Sequence, residues 1–246
     1  MDARAGGRAA KGPQNLKQEV AKFLRDEIFS GALTPGARID QDALAESIGV
    51  SRLPVREALI TLEMEGMVTN VPRRGSFVAP LAPDDIRDHF EMYGVLSGVA
   101  AARAAASPSD SLIDELAATS DLMRRGTDPV ELDTLNFRFH RLLNRAGGSR
   151  RLLSVLRLLS DNMPTHFFTS NNEWEFRERT FDEHDRIVDA VRNRDSSAVA
   201  AAVVEHFRHV GEQAVRSLTA VGFWNEPIGN RGNGASDKTA LDVDII

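Results

Sequence analysis

The stretch from Gln41 to Val78 constrains the fold of this chain more than any other part of its sequence. A short run with helical spacing ends at Gly49. A second begins at Ser51, a residue type that caps helices, and has Pro54 in its first turn. Residues 68–79 then supply two short β-forming runs around a basic turn. This order predicts two helices joined by a tight turn and followed by a β-hairpin, the layout of a winged helix-turn-helix.

The second helix of this stretch has the features of a helix that enters the major groove of DNA. Arg52 and Arg56 are four residues apart and share one face, and arginine can contact guanine through two hydrogen bonds. The N–H groups at the helix start, with Ser51, suit a phosphate. In the hairpin, Gly75 allows close approach of the backbone, and Arg74 can enter the minor groove or contact a phosphate. The alternative is that these arginines are solvated surface residues paired with nearby carboxylates.

Residues 51–59 read Ser-Arg-Leu-Pro-Val-Arg-Glu-Ala-Leu. This segment resembles the recognition-helix signature of the GntR family of bacterial regulators, usually written SRTPVREAL. Leu53 stands where the family usually has threonine, so a polar contact common in the family is expected to be absent. The resemblance covers most of residues 15–80 and implies binding to double-stranded DNA as a symmetric homodimer, hence a palindromic operator. The expected DNA contacts are Ser51, Arg52, Pro54, Arg56, Arg73, Arg74 and Gly75.

The charge of the chain limits how it could bind DNA. The net charge is −6, and residues 15–80 carry eight basic and nine acidic side chains. A chain of this charge does not coat nucleic acid by bulk electrostatics. Positive charge must therefore be focused on one face, at the start of the second helix and at the tip of the hairpin.

The length of 246 residues exceeds the usual size of one domain, and the composition becomes helical after residue 80. The first helix is expected over Leu16–Ser30, with Asn15 as its cap. The expected divisions are a disordered arm at 1–14, the winged helix-turn-helix at 15–80, a helical domain for effector binding and dimerisation at 81–222, and a flexible tail at 223–246. Helices are expected in the second domain at 84–106, 110–125, 128–146, 150–168, 174–194 and 196–221. The fold class is therefore mainly α, with an all-α antiparallel bundle as the second domain.

Several kinds of site are excluded by what the sequence lacks. It has no cysteine, which excludes disulfides and thiolate metal sites. No apolar run approaches the length needed to span a bilayer, and the N-terminus lacks the apolar segment of a secretion signal. The expected location is the cytoplasm, with no membrane contact.

Three histidines of the second half fall on helix faces that are expected to point to the core. His140 lies four residues after Asn136, and His184 and His206 lie among apolar residues of two later helices. If those two helices are antiparallel neighbours, three imidazoles and one oxygen donor could hold zinc, nickel, manganese or another divalent ion. The alternative is that each histidine is an ordinary hydrogen-bonded core or surface group.

A second resemblance concerns these same positions. The segments Asn136-x-x-Phe139-His140 and Glu183-His184, together with His206, resemble the FCD ligand-binding domain of the FadR subfamily of GntR regulators. The resemblance implies that the asparagine and the three histidines hold a divalent metal, and that a small organic-acid effector completes its coordination. Aspartate is commonest where this chain has asparagine, which implies weaker metal binding.

Other residues near this pattern depart from the family or lie outside it. Tyr93 is not followed by the arginine and glutamate that the family often carries, so an unusual effector pocket is expected. Arg103 and Arg138 could contact a carboxylate, with structural ion pairs as the alternative. His166 and His209 lie outside the metal pattern and are expected near it or on the surface.

These features together predict a ligand-responsive transcriptional regulator that binds DNA as a dimer and senses a small carboxylate. The expected sign of regulation is repression. The alternative is a metal-dependent hydrolase or lyase. Against that alternative, the sequence has no Gly-rich phosphate loop and no Ser-His-Asp order, and Glu183 is expected to face away from its neighbour His184. No catalytic residue is expected.

Overall fold

The computed structural model describes residues 13–162 and 174–224. The predictions made for residues 1–12, for His166 and for residues 225–246 lie outside these ranges. The first helix begins at Pro13 and not at Leu16, which places Asn15 inside the helix and corrects its predicted role as the cap. Proline is favoured in the first turn of a helix, which explains the earlier start.

The N-terminal part is a three-helix unit with a small sheet. Its elements are α1 (Pro13–Phe29), β1 (Arg38–Ile39), α2 (Gln41–Ile48), α3 (Arg52–Met64), β2 (Val68–Val71) and β3 (Gly75–Val78). Both strand pairs are antiparallel, and the strand order is β1-β3-β2. Phe77 on the central strand pairs with Arg38 on one side and Thr69 on the other.

The turn between α2 and α3 is formed by residues suited to their backbone positions. Asp40 Oδ1 accepts hydrogen bonds from the N–H groups of Asp42 and Ala43 at 3.0 and 3.1 Å and so caps the start of α2. Gly49 ends α2 in the left-handed conformation, with φ of 73°. Ser51 occupies the N-cap position of α3, but its side chain makes no capping hydrogen bond with the described residues. Its hydroxyl is therefore free to contact a ligand.

The core of this unit lies between α1 and α3. Val20, Leu24 and Ile28 of α1 are buried together with the apolar side of α3 and its following turn. Of the two methionines near the end of α3, Met67 is 4% exposed, whereas Met64 is 85% exposed. The core therefore extends to Met67 in the turn after α3, from which the chain enters the sheet.

The second part of the chain is a bundle of helices. Its elements are α4 (Pro83–Ala106), α5 (Asp110–Arg125), α6 (Pro129–Gly147), α7 (Arg150–Asp161), α8 (Trp174–Arg192) and α9 (Ser196–Ala220). Helix α7 ends at Asp161, and the N–H of Asn162 bonds to Leu159 O at 3.1 Å in a tighter turn. The part of the predicted helix over 163–168 lies outside the described residues. Within the described ranges, no helix is long and apolar enough to cross a membrane.

Small residues let α4 and α9 pack closely. A Cβ added to Gly94 would lie 2.9 Å from Phe207 Cβ, and one added to Gly98 would lie 3.2 Å from Ala200 O. Gly94 and Gly98, which follow Tyr93 on α4, therefore face α9. A bulky or charged side chain at either position would separate the two helices.

The last described residues return to the junction between the two parts. Trp224 Nε1 donates a hydrogen bond to Leu81 O, 2.8 Å away in the linker before α4. Phe223 is fully buried, and Val221 lies against Gly31 at the end of α1. Residues that follow α9 therefore contact both the linker and the turn after the first helix.

The contact between α6 and α4 gives a test of the packing. A Cβ at Gly147 would overlap Ala100 O and lie 2.6 Å from Ala104 N. Because both neighbours are backbone atoms, Gly147→Ala is expected to lower the free energy of unfolding by about 2–3 kcal/mol. Urea unfolding of the full chain measures the change. The neighbouring exposed Ala146 supplies the control, since Ala146→Ser is expected to change it by less than about 0.5 kcal/mol. Equal midpoints for the two variants would contradict the close approach.

Candidate functional site

Three histidine side chains meet inside the helical bundle. His140 of α6, His184 of α8 and His206 of α9 are all buried. His140 Nε2 lies 3.3 Å from His184 Nε2 and 3.1 Å from His206 Nε2. Nitrogen ligands lie about 2.0–2.1 Å from a divalent metal, so adjacent ligand nitrogens on one ion are about 3.0–3.4 Å apart. The ligand atoms of the three side chains all lie within 4.8 Å of one another, so the cluster could hold a single metal ion.

The local sequence explains why these side chains point inward. His184 precedes Ile187 and Val188 on the buried face of α8, and its ring stacks on Phe139 with centroids 4.2 Å apart. Burial, followed by the proximity of His206, holds the pKa of both His140 and His184 well below the ordinary value. Both rings are therefore neutral near pH 7, which is the form that binds a metal.

Asn136 lies one turn before His140 and is buried beside it. Its Oδ1 atom has no hydrogen-bond partner among the described residues. A buried carbonyl oxygen without a partner costs about 1–3 kcal/mol. A cation or a ligand donor at this position would remove that cost, so the structure places the fourth predicted ligand where it could serve.

Glu183 has a role that the sequence did not predict. It does not face away from the histidines: its Oε2 accepts a hydrogen bond from His206 Nδ1 at 2.8 Å. This contact places the His206 proton on Nδ1 and leaves the Nε2 lone pair directed at the cluster. Burial opposes ionisation of Glu183, but the hydrogen bonds from His206 and His209 outweigh it and lower the pKa of the carboxyl.

His209 lies behind Glu183 and not at the centre of the cluster. Its Nδ1 is 2.5 Å from Glu183 Oε1, and its Nε2 is 2.7 Å from Glu205 Oε1. Arg179 Nε donates to Glu183 Oε1 at 3.0 Å. A layer of charged groups therefore supports the carboxylate that orients His206.

A cavity of about 720 Å³ adjoins the cluster, between α6, α7, α4 and α9. His140, His206 and Asn136 form part of its wall. Asn144 also lines it, donating to Tyr93 Oη at 3.1 Å and accepting from Ser97 Oγ at 2.7 Å. Burial raises the pKa of Tyr93 to about 12, so its hydroxyl keeps its proton.

The two arginines singled out earlier differ in their relation to this cavity. Arg138 lines it, although its guanidinium also lies 3.9 Å from Glu115. Arg103, in the last turn of α4, is not among the lining residues. Of these two arginines, Arg138 alone is therefore placed to contact a carboxylate bound in the cavity.

A second candidate surface lies at the start of α3. Arg52, Leu53 and Arg56 are exposed and line a recess with Arg38 of β1 and Gly75 of the hairpin. Arg38 was not predicted, because a strand of two residues leaves no periodic signal. Arg52 forms an ion pair with Asp42.

The remaining predicted contacts occupy different environments. Pro54 is buried, so it supports the start of α3 and does not present a surface. Arg73 and Arg74 are exposed at the hairpin tip, where Arg73 has a φ of 64° and Arg74 lies 5.9 Å from the Phe77 ring centroid. Gly75 has a φ of 107°, which favours glycine.

A chain of hydrogen bonds holds the hairpin against both helices. Gln41 Nε2 donates to Ser76 Oγ at 3.1 Å, and Ser76 Oγ donates to Asn70 Oδ1 at 2.6 Å. Asn70 Nδ2 donates in turn to Glu63 Oε2 at 2.6 Å. The hairpin tip and the start of α3 therefore keep a defined relative position.

Comparisons with known proteins point to two families. Residues 16–78 match the family model described as bacterial regulatory proteins, gntR family, and residues 88–209 match the FCD domain. The chain is 31% identical over 195 residues to the uncharacterized HTH-type transcriptional regulator YdhC of Bacillus subtilis, covering 76% of this chain and 85% of that protein. It is 26% identical over 208 residues to the HTH-type transcriptional repressor RspR of Escherichia coli, covering 83% and 91%.

A solved structure shows the same fold. The E. coli protein McbR/YncC superposes with a TM-score of 0.58 at 23% identity, covering 79% of this chain and 94% of that one. At this identity the likeness concerns the fold alone. It agrees with an N-terminal winged helix-turn-helix followed by a helical domain.

Proposed function

Because the chain belongs to the GntR family of bacterial regulatory proteins and carries an FCD domain, we propose that it represses transcription by binding a palindromic operator as a homodimer. The matched families and relatives are transcriptional regulators and not enzymes, which leaves the hydrolase or lyase alternative without support. The observation that carries the proposal is one chain holding both an exposed arginine face on α3 and a buried histidine cluster beside a cavity. The relative RspR, named a repressor, supports the sign of regulation.

On the DNA side, α3 would enter the major groove and the hairpin would contact the adjacent backbone or minor groove. Arg52 and Arg56 are the proposed base contacts, and Arg38 joins them from the same recess. Ser51, Arg73, Arg74 and Gly75 complete the proposed surface. Two copies related by a twofold axis would place two α3 helices about one helical turn of DNA apart.

On the effector side, Asn136, His140, His184 and His206 would hold a divalent ion, with zinc, nickel and manganese the candidates. Such an ion would join three helices and leave coordination positions for a carboxylate effector in the adjoining cavity. An effector changes DNA binding only to the extent that it binds one arrangement of the two domains more tightly than another.

The direct test is binding of the purified full chain to DNA fragments from upstream of its own and neighbouring genes, followed by footprinting. A protected palindrome is the expected result. Repression is measured with a reporter placed behind that operator in the cytoplasm of a bacterial host. If no fragment binds in preference to random DNA, or if the reporter rises when the chain is present, the repressor proposal is wrong.

Dimerisation has a candidate surface on α4. Met92, Val95 and Val99 fall on one face of this helix and are 51%, 47% and 40% exposed. A row of apolar side chains open to solvent is typical of a surface covered by a partner, and a second copy of the chain is the partner that a palindromic operator requires.

Replacing Val95 and Val99 together with glutamate is therefore expected to weaken dimerisation by about tenfold or more, because both charges would be buried in the interface. Sedimentation velocity over a concentration series gives the dissociation constant. The control is Leu122→Glu on α5, where an equally exposed leucine lies on another helix. Dimers of unchanged affinity would exclude this face of α4 as the interface.

A further inference from the structure

We infer that the cavity beside the histidine cluster selects a small organic acid with two anionic groups, one directed at the cluster and the other held by arginines of α6 and α7. This inference rests on the proposed role of the helical domain as an effector sensor. It goes further by naming the charge of the ligand and the residues that recognise it.

Three arginines of α6 lie on one side of the helix. Arg138, Arg141 and Arg145 follow one another at spacings of three and four residues, and all three line the cavity. Arg157 of α7 lines it from the facing side. Four guanidinium groups therefore surround a space that also reaches the buried histidines.

The positive charge of this cavity is not balanced by its own wall. Asp161 is the acidic residue among the described residues that line it. Within the ranges 13–162 and 174–224, Arg141, Arg145 and Arg157 have no carboxylate within salt-bridge distance. Like charges repel at these spacings, and a bound anion relieves that repulsion.

A buried oxygen without a partner lies at the other end of this cavity. Asn136 Oδ1 is buried, lines the same cavity and has no hydrogen-bond partner among the described residues. An amide oxygen accepts a hydrogen bond or binds a cation, so it fits the proposed divalent ion, which would in turn take one anionic group of the ligand. The cavity therefore has one end formed by the asparagine and histidines, where that ion would lie, and another end formed by guanidinium groups. A ligand with a single anionic group would satisfy only one of them.

The spacing along α6 limits the ligand's size. Arg145 lies five residues beyond His140, which is about 7.5 Å along the helix axis at 1.5 Å per residue. Arginine side chains are long and can fold back toward the cluster, so the second anionic group need not lie that far from the first. A linear diacid of about three to six carbons fits this range and the cavity volume of about 720 Å³.

The test compares each linear diacid from malonate to adipate with its own monoamide, which has nearly the same shape and one charge less. Calorimetry and thermal shift are run on the metal-loaded full chain at fixed ionic strength. At least one diacid is expected to bind tenfold or more tightly than its monoamide. Equal binding of every pair, or binding of no diacid, would overturn the inference.

Variants then identify the residues responsible. Arg145→Gln and Arg157→Gln are each expected to weaken the preferred diacid by tenfold or more and its monoamide by less than twofold. Both side chains are exposed, so the fold should survive, and circular dichroism checks that it does. Arg192→Gln, an exposed arginine of α8 away from the cavity, is the control and should change neither affinity. Diacid selectivity that persists in both cavity variants would overturn the assignment.

Operator binding measured on the same preparation separates this inference from the proposed function. Specific DNA binding without any preference for diacids leaves the regulator standing and rejects the inference. A diacid preference carried by Arg145 and Arg157 in a chain that binds no operator rejects the proposed function and keeps the ligand assignment.

Discussion

Replacing Arg52 and Arg56 together with alanine is expected to weaken sequence-specific DNA binding by about 100-fold or more. Each arginine that contacts a guanine through two hydrogen bonds contributes about 1–3 kcal/mol of discrimination, and both lie exposed at the start of α3. The dimer would lose each contact twice. Fluorescence anisotropy with the footprinted operator and with random DNA of equal length measures the loss.

The control removes the same charge from the other domain. Arg186 and Arg192 are exposed on α8, so Arg186→Ala combined with Arg192→Ala is expected to leave operator affinity within about twofold. This comparison matters because the chain is acidic overall, and a general loss of positive charge could weaken any contact with DNA. Intact operator binding in the Arg52/Arg56 variant would remove α3 as the reading helix.

The second large effect concerns the histidine cluster. After exchange into zinc, nickel or manganese, the wild-type chain is expected to hold about one ion, and His140→Ala or His184→Ala less than about a tenth of one. Elemental analysis gives the metal content, and thermal unfolding with and without chelator gives the stabilisation. A ligand at a thousand times its dissociation constant stabilises by about 4 kcal/mol, which is a shift of several degrees.

Two further variants test whether the ion is bound by this cluster and not by other side chains. His89 bonds to Leu159 O at 3.0 Å and lies outside the cluster, so His89→Gln should keep the metal. Asn136→Asp adds a negative charge beside His140 and is expected to tighten metal binding by about tenfold. A wild-type chain that binds no divalent ion, or that binds one equally well without His140, would exclude the metal centre while leaving the DNA surface untouched.

The winged helix-turn-helix was predictable because each of its parts leaves a local sequence signal. A capping aspartate, a glycine in the left-handed conformation and a proline in the first turn of α3 mark helix ends within a few residues. Strand β1 left no such signal, because two residues cannot show a period. Arg38 was therefore missed, although it lies in the same recess as Arg52.

The helical domain was predictable in its elements but not in all its contacts. Helical spacing placed His140, His184 and His206 on buried faces, whereas nothing local indicated that Glu183 would turn toward His206 from the neighbouring helix. Of the cavity arginines, Arg138 was a candidate from the sequence, whereas Arg141, Arg145 and Arg157 were missed for a similar reason. Arg141 and Arg145 have the exposed, charged pattern of any solvated helix face, and only the packing of α7 beside that face makes it the wall of a cavity.

Helix α9 connects the histidine cluster to the linker between the two domains. Helix α9 carries His206 in its middle, and Phe223 and Trp224 follow its end, where Trp224 is hydrogen-bonded to the linker at Leu81. From His206 to Ala220 the axis runs for about 21 Å without a break. If the proposed ion binds at His206, a tilt of α9 about that point would be largest at its far end, where Val221 lies against Gly31 and Trp224 is bonded to Leu81. Ligand binding at the histidines would then act on the linker that carries the DNA-binding unit.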